Sequence, residues 1–202
     1  MKLITTALLL CAAAPAFAGN VPLTLDFEAA AGTYAQSIGS LYDQQGIAFT
    51  ADAVGLDNND GAGPYFSHAP SGQVGMTVFG SDATMNVARG FEGAFGFFYS
   101  SSLAIADAVQ VWSGLDGTGT LLASFGLAAN AQAGGCSDTS YCNFSSVSTV
   151  LTGVGRSVTF GNTAFEAVFD DVSLNVVPEP STALLLPLAL AGLLATRRRA
   201  SA

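Results

Sequence analysis

The feature that most limits what this chain can fold into is a period of two. Runs in which apolar residues alternate with small or polar ones recur at Leu23 to Phe27, Ile47 to Thr50, Met76 to Phe79, Phe95 to Tyr99, Val109 to Trp112, Leu121 to Phe125, Ser157 to Phe160 and Phe165 to Val176. Side chains on an extended strand point to opposite faces in turn, so such alternation marks strands with one buried face. Between residues 19 and 177 no stretch shows a convincing 3.6-residue apolar period with capping signals. Glycine-rich turns separate the runs instead. Asp116-Gly117-Thr118-Gly119, between the Val109 and Leu121 runs, predicts a hairpin, because glycine accepts positive φ in tight turns. The expectation is all-β, a sandwich or barrel.

The last run changes phase. Phe165, Ala167 and Phe169 fall on odd positions, whereas Val172, Leu174 and Val176 fall on even ones. Either a β-bulge near Asp170-Asp171 switches the apolar face and aims a carboxylate sideways, or the strand is buried on both faces. Both readings stand at this stage.

The two ends follow other rules. Lys2, the apolar stretch Leu3 to Ala14 and the small-x-small site Ala16-Phe17-Ala18 read as a signal peptide over residues 1–18. Signal peptidase is expected to cut between Ala18 and Gly19. Cys11 leaves with it, since Leu8-Leu9-Leu10 precede it where a lipoprotein needs small residues. At the other end Val177-Pro178-Glu179-Pro180 leads into an almost wholly apolar segment, Thr182 to Thr196, and then Arg197-Arg198-Arg199. Pro178 and Pro180 stop an upstream strand from running on. The apolar segment is near the short limit for a transmembrane helix, and arginines stay on the cytoplasmic side. Residues 19–177 are thereby placed outside the cytoplasm, as a single ectodomain.

The motif Val177-Pro178-Glu179-Pro180, with the short apolar helix and arginine cluster that complete residues 178–202, resembles the PEP-CTERM sorting signal of Gram-negative bacteria, a tail also labelled as an ice-binding protein C-terminal domain. The resemblance implies that an exosortase, a membrane cysteine transpeptidase, recognises Val177 to Pro180 and removes the helix. It also implies an inner-membrane-anchored precursor, then a place at the cell surface or in the extracellular matrix, with exopolysaccharide or biofilm nearby. It implies nothing about ectodomain activity.

Leu25-Asp26-Phe27-Glu28 and Phe169-Asp170-Asp171-Val172-Ser173-Leu174 resemble the first and last strands of jelly-roll domains similar to carbohydrate-binding modules, together with Gly46-Ile47-Ala48-Phe49 and the aromatic run Phe95 to Tyr99. In such modules the terminal strands lie close together and their acids often hold a structural calcium. Ca²⁺ takes six to eight oxygens, so Glu28 and Asp171, then Asp26 and Asp170, are the candidate ligands. The bland alternative is a set of solvated edge carboxylates that discourage aggregation. Asp57-Asn58-Asn59-Asp60-Gly61 resembles half an EF-hand loop, but His68 stands at the twelfth position where glutamate belongs, so a polar turn is expected.

Of 15 acids, only Glu179 lies outside residues 19–177, whereas Lys2 and Arg197 to Arg199 remove four of the six bases. The ectodomain therefore carries a net charge of −12, no lysine, and only Arg89 and Arg156. Nucleic acid would be repelled, and lysine Schiff-base chemistry is excluded. His68 is the lone histidine, and no nucleophile elbow or phosphate-cradling loop is present. Cys136 and Cys142 are expected to form a disulfide in an oxidising compartment. Trp112 is the candidate for stacking on sugar, with Tyr65, Tyr99 and Tyr141 behind it, while Phe95, Phe97 and Phe98 are assigned to the core. The sequence thus points to an exported, non-catalytic surface or matrix protein. A carbohydrate-binding module of the same fold is the alternative, and a glycoside hydrolase using paired carboxylates stands further behind.

Overall fold

The computed structural model describes residues 19–178 apart from Thr33. The expected signal peptide over residues 1–18, the expected sorting motif from Glu179 onward, the expected transmembrane segment Thr182 to Thr196 and Arg197 to Arg199 lie outside the described residues. Among the described residues no helix is long and apolar enough to cross a membrane.

Ten strands run through this region: β1 (Val21–Leu25), β2 (Gln36–Ser37), β3 (Ile47–Phe49), β4 (Ala53–Asp57), β5 (Val74–Val78), β6 (Asp82–Ser101), β7 (Ile105–Trp112), β8 (Leu121–Leu127), β9 (Ser145–Gly161) and β10 (Ala167–Val176). They pair antiparallel in the order β2-β4-β5-β10-β6-β9-β7-β8, with β1 added to β10 and β3 to β6. The helical content is three single 3₁₀ turns. The all-β expectation holds.

One continuous sheet makes a two-layer core because β6 and β9 are long enough to bend. The pairing of β6 with β9 shifts register between Asn86 and Phe91 and again before Gly93. Gly90 sits at this corner with φ +81, and a Cβ there would meet the backbone oxygen of Gly155 at 3.0 Å and the Val154 side chain. Glycine is thus required twice over, by its backbone angle and by lack of space. That the sheet closes over itself is seen in its rings. Phe125 on β8, at one end of the hydrogen-bonded order, packs 5.9 Å from Phe95 and 5.4 Å from Phe97 on β6, with β9 and β7 intervening in the order. Phe169 on β10 meets Phe97 and Phe160 from the same interior. The core is aromatic throughout, with Phe91, Phe95, Phe97, Phe160 and Phe169 all buried. Phe98 departs from the expectation: it lies one position out of phase with Phe97, on the opposite face, and is only half-buried.

The hairpin forms as the sequence predicts. β7 pairs with β8 across the turn, Trp112 opposite Leu121, with Asp116, Gly117 and Gly119 all at positive φ. The phase change in β10 contains both readings. Ala167 and Phe169 face the main core, Val168 packs with Leu56 and Phe66 in a smaller cluster on the other side, and so this stretch is buried on both faces. Register against β6 then slips between Asp170 and Ser173, Asp171 takes φ +46, and Val172, Leu174 and Val176 return to the core. β10 ends at Val176, just before the first proline, and the Val177 N–H donates to the Gly90 carbonyl.

Candidate functional site

The bulge delivers Asp170 to a particular place. Its carboxylate is buried and accepts hydrogen bonds from the Ser71 N–H and hydroxyl and from the Asp171 N–H. Glu28, just past β1, holds the same loop from another side: one carboxylate oxygen accepts the N–H groups of Gln73 and Val74, each at 2.7 Å. The Asp26 carboxylate accepts the Glu28 N–H. Two of the expected calcium ligands therefore clamp residues 71–74, the connection entering β5. Burial, opposed by these hydrogen bonds, raises the Asp170 carboxyl to about 7. Nearby, burial first and then the charge of Asp26 push the Tyr42 hydroxyl up to about 12, with Glu28 and Asp170 adding to the rise and the Phe27 backbone opposing it.

β1 pairs with β10, and Asp26, Glu28 and Asp170 all lie near Tyr42. They do not form a converging trio. Among the described residues the only three metal-type ligands whose atoms lie within 4.8 Å of one another are those of His68, Cys136 and Asp138. Cys136 is bonded to Cys142, so that trio lacks a thiolate. His68 itself is exposed in its loop, with Nδ1 3.0 Å from the Cys142 carbonyl oxygen and Nε2 3.6 Å from Asp138. The disulfide fits an oxidising compartment, as expected of exported protein.

The expected polar turn at 57–61 has a structural task. Asp57 accepts the N–H groups of Asn59 and Gly32, tying the loop after β1 to the end of β4. Asp60 accepts the N–H groups of Ala62 and Gly63 and the Tyr65 hydroxyl, the last at 2.8 Å. Desolvation works against ionisation of Asp60, yet these donors hold its carboxyl below the usual range. Trp112 ends β7 half-buried, its indole N–H donating to the Thr159 hydroxyl at 3.2 Å. Tyr99 is a core residue whose hydroxyl accepts the Ala128 N–H.

The structure also assembles a group of which sequence reasoning had named only Tyr65. Tyr65, Tyr34, Phe79 and Phe165 stand in a row, with successive ring centroids 5.8, 6.0 and 4.7 Å apart. Tyr34 and Phe165 are among the most exposed large side chains described, at 57% and 61%. Phe165 was expected to open the last strand; it precedes β10 in a turn at φ +59. The available signal was weak: Phe79 and Phe165 each stand beside turn residues, Gly80-Ser81 and Gly161-Asn162-Thr163.

No protein-family model matches the chain, and no curated protein matches it by sequence. Among solved structures, the K2 cleaved adhesin domain of Lys-gingipain is similar over 77% of this chain and all of its own length, with a TM-score of 0.50 at 15% identity. Weaker likenesses reach the catalytic domain of a GH87 α-1,3-glucanase (TM-score 0.40, 14% identity, 73% of this chain) and the CBM22-1–GH10 modules of Clostridium thermocellum xylanase 10B (0.35, 13%, 67%). The chain spans 30% and 27% of those two. What the likeness to the K2 domain shows is the fold, a β-sandwich.

Proposed function

We propose that this chain is an exported, non-catalytic surface or matrix protein, sorted through its C-terminal signal, whose sandwich works by presenting a surface. The observation that carries the reading is how its polar groups are spent. Glu28 and Asp170 hold residues 71–74, Asp57 and Asp60 hold turns, and the lone histidine stands in an exposed loop beside a disulfide. In Lys-gingipain the comparable sandwich is an adhesin domain, which accords with a presenting role. A bound Ca²⁺ belongs to the same reading, with Glu28 and Asp171, then Asp26 and Asp170, as its ligands; these carboxylates would have to draw together to hold it, since no three of them converge as they stand. It would supply positive charge beside the buried Asp170 carboxylate.

Fractionation of cells lacking the exosortase tests the sorting claim: full-length protein should accumulate in the inner membrane, and unchanged processing would refute it. Release of reducing ends from any polysaccharide by purified protein would overturn the non-catalytic reading. For calcium, melting curves with EDTA and with CaCl₂ should separate, and superimposed curves would remove the ion.

A further inference from the structure

We propose that the row Tyr65, Tyr34, Phe79 and Phe165 is a binding site for an uncharged polysaccharide chain. The inference rests on the reading of this sandwich as a module that presents a surface outside the cell, and it names what that surface holds.

Four separated segments supply the rings, and each is fixed in place. Asp57 draws in the loop that carries Tyr34 by accepting the Gly32 N–H, and Asp60 holds Tyr65 through its hydroxyl. The Phe79 N–H donates to the Asp52 carbonyl at the end of β5. Phe165 is the most telling member. A bulky side chain in the left-handed region is disfavoured, and such outliers persist only where surrounding contacts impose them. Here the Phe165 N–H donates to the Val78 carbonyl at 3.1 Å, and the Tyr141 hydroxyl donates to the Phe165 carbonyl at 2.5 Å. The backbone is held from both sides in a disfavoured conformation, and the result is a phenyl ring turned toward water. The ring stacks on half-buried Phe79 and belongs to neither buried cluster.

The surroundings select the ligand. Successive rings lie tilted at 34° to 56°, forming an apolar strip in place of an isolated platform. Pyranose rings present an apolar C–H face to such a strip and hydroxyls at their edges. Two carboxylates stand along the row: Asp60 on Tyr65, and Asp52 packed against Gly80 next to Phe79. Carboxylates accept strong hydrogen bonds from hydroxyls. Both arginines sit elsewhere, Arg89 against Gly46 with a hydrogen bond to the Gln45 carbonyl, Arg156 beside Gly90. Carboxylates at the strip, on a domain of net charge −12, repel uronate and phosphate polymers, so among common polysaccharides an uncharged chain is the occupant.

Affinity electrophoresis of protein expressed from the full-length sequence tests this, with xylan, hydroxyethyl cellulose and dextran as uncharged polymers and alginate as the uronate polymer. Retardation is expected with at least one uncharged polymer, not with alginate, and it should persist in high salt. Phe165→Ala and Tyr34→Ala should each weaken association about tenfold or more without shifting the thermal midpoint appreciably. Tyr141→Phe, which frees the Phe165 carbonyl while leaving every ring, should weaken it less. The proposal is overturned by no retardation in any uncharged polymer, by retardation that survives the double variant Y34A/F165A, or by salt-sensitive binding to polylysine alone, which would mark a cationic partner. Any of these results leaves the export and processing test standing on its own.

Discussion

The molecule contains two aromatic groups of similar composition and opposite fate. In the first, Phe91, Phe95, Phe97, Phe160 and Phe169 lie buried between the layers, their rings in contact at 4.9 to 6.0 Å. In the second, Tyr65, Tyr34, Phe79 and Phe165 meet at nearly the same spacing, with both Tyr34 and Phe165 open to water. Ring-to-ring contact is thus common to both, and what separates them is what covers them. The buried set gains the full transfer from water and is the source of stability. The exposed set forgoes most of that gain, and one of its members sits in a disfavoured backbone conformation as well. The difference teaches that packing alone does not account for the second group.

The strongest way to break the comparison is to truncate one ring on each side. Phe97→Ala should cost about 3–5 kcal/mol in urea unfolding, the range for a buried phenylalanine left as a cavity. A loss below about 1 kcal/mol would mean that the interior is not the close-packed core described.

Asp170 offers a second cut, because it is as buried as those rings and can carry charge. Its folded value of about 7 lies above the ordinary aspartate value of 3.8, so the folded state keeps a proton that the unfolded chain gives up. The stability this contributes is fully present below about pH 4 and is lost as pH rises to about 7. In EDTA, unfolding free energy should therefore fall across that window with a slope of up to one proton, and Asp170→Asn should flatten it. An identical slope in the variant would assign the titration elsewhere.

A smaller effect links the two groups. The Cys136–Cys142 bond closes a short loop that carries Tyr141, whose hydroxyl holds Phe165. Replacing both cysteines with serine should cost about 2 kcal/mol on the chain-entropy model. It should also weaken polysaccharide retardation, whereas loss of stability with full binding would uncouple the loop from the row.

Phe165→Ala should have the smallest effect on stability, about 1 kcal/mol or less, since it removes one exposed ring stacked on Phe79. A cost comparable to that of Phe97→Ala in the same urea titration would erase the distinction between the groups.

How much of this was legible in the sequence differs from element to element. The runs at Ile47, Val109, Leu121 and Ser157 became strands because alternation is a local property, written directly into side-chain order. The phase change at Asp170-Asp171 was legible for the same reason, since parity is counted along one strand. β4 went unread, because Ala53, Gly55 and Asp57 fill alternate positions and leave only Val54 and Leu56 as an apolar signal. The first half of β9 was hidden by serine and threonine on both faces.

Glu28 and Asp170 were identified as partners across the terminal strands, but that they grip residues 71–74 depends on where β5 lies beside β10. The exposed aromatic row was beyond any local rule. Residues 34, 65, 79 and 165 share no period and belong to no motif; they meet because the order β2-β4-β5-β10 brings four connections to one region. The sequence by itself determined which segments extend, where the last strand must bend, and that residues 19–177 are acidic and lack lysine. Tertiary structure alone decided which aromatic rings are covered, because burial is set by strand order across the sheet, and strand order arises from contacts distant in the chain.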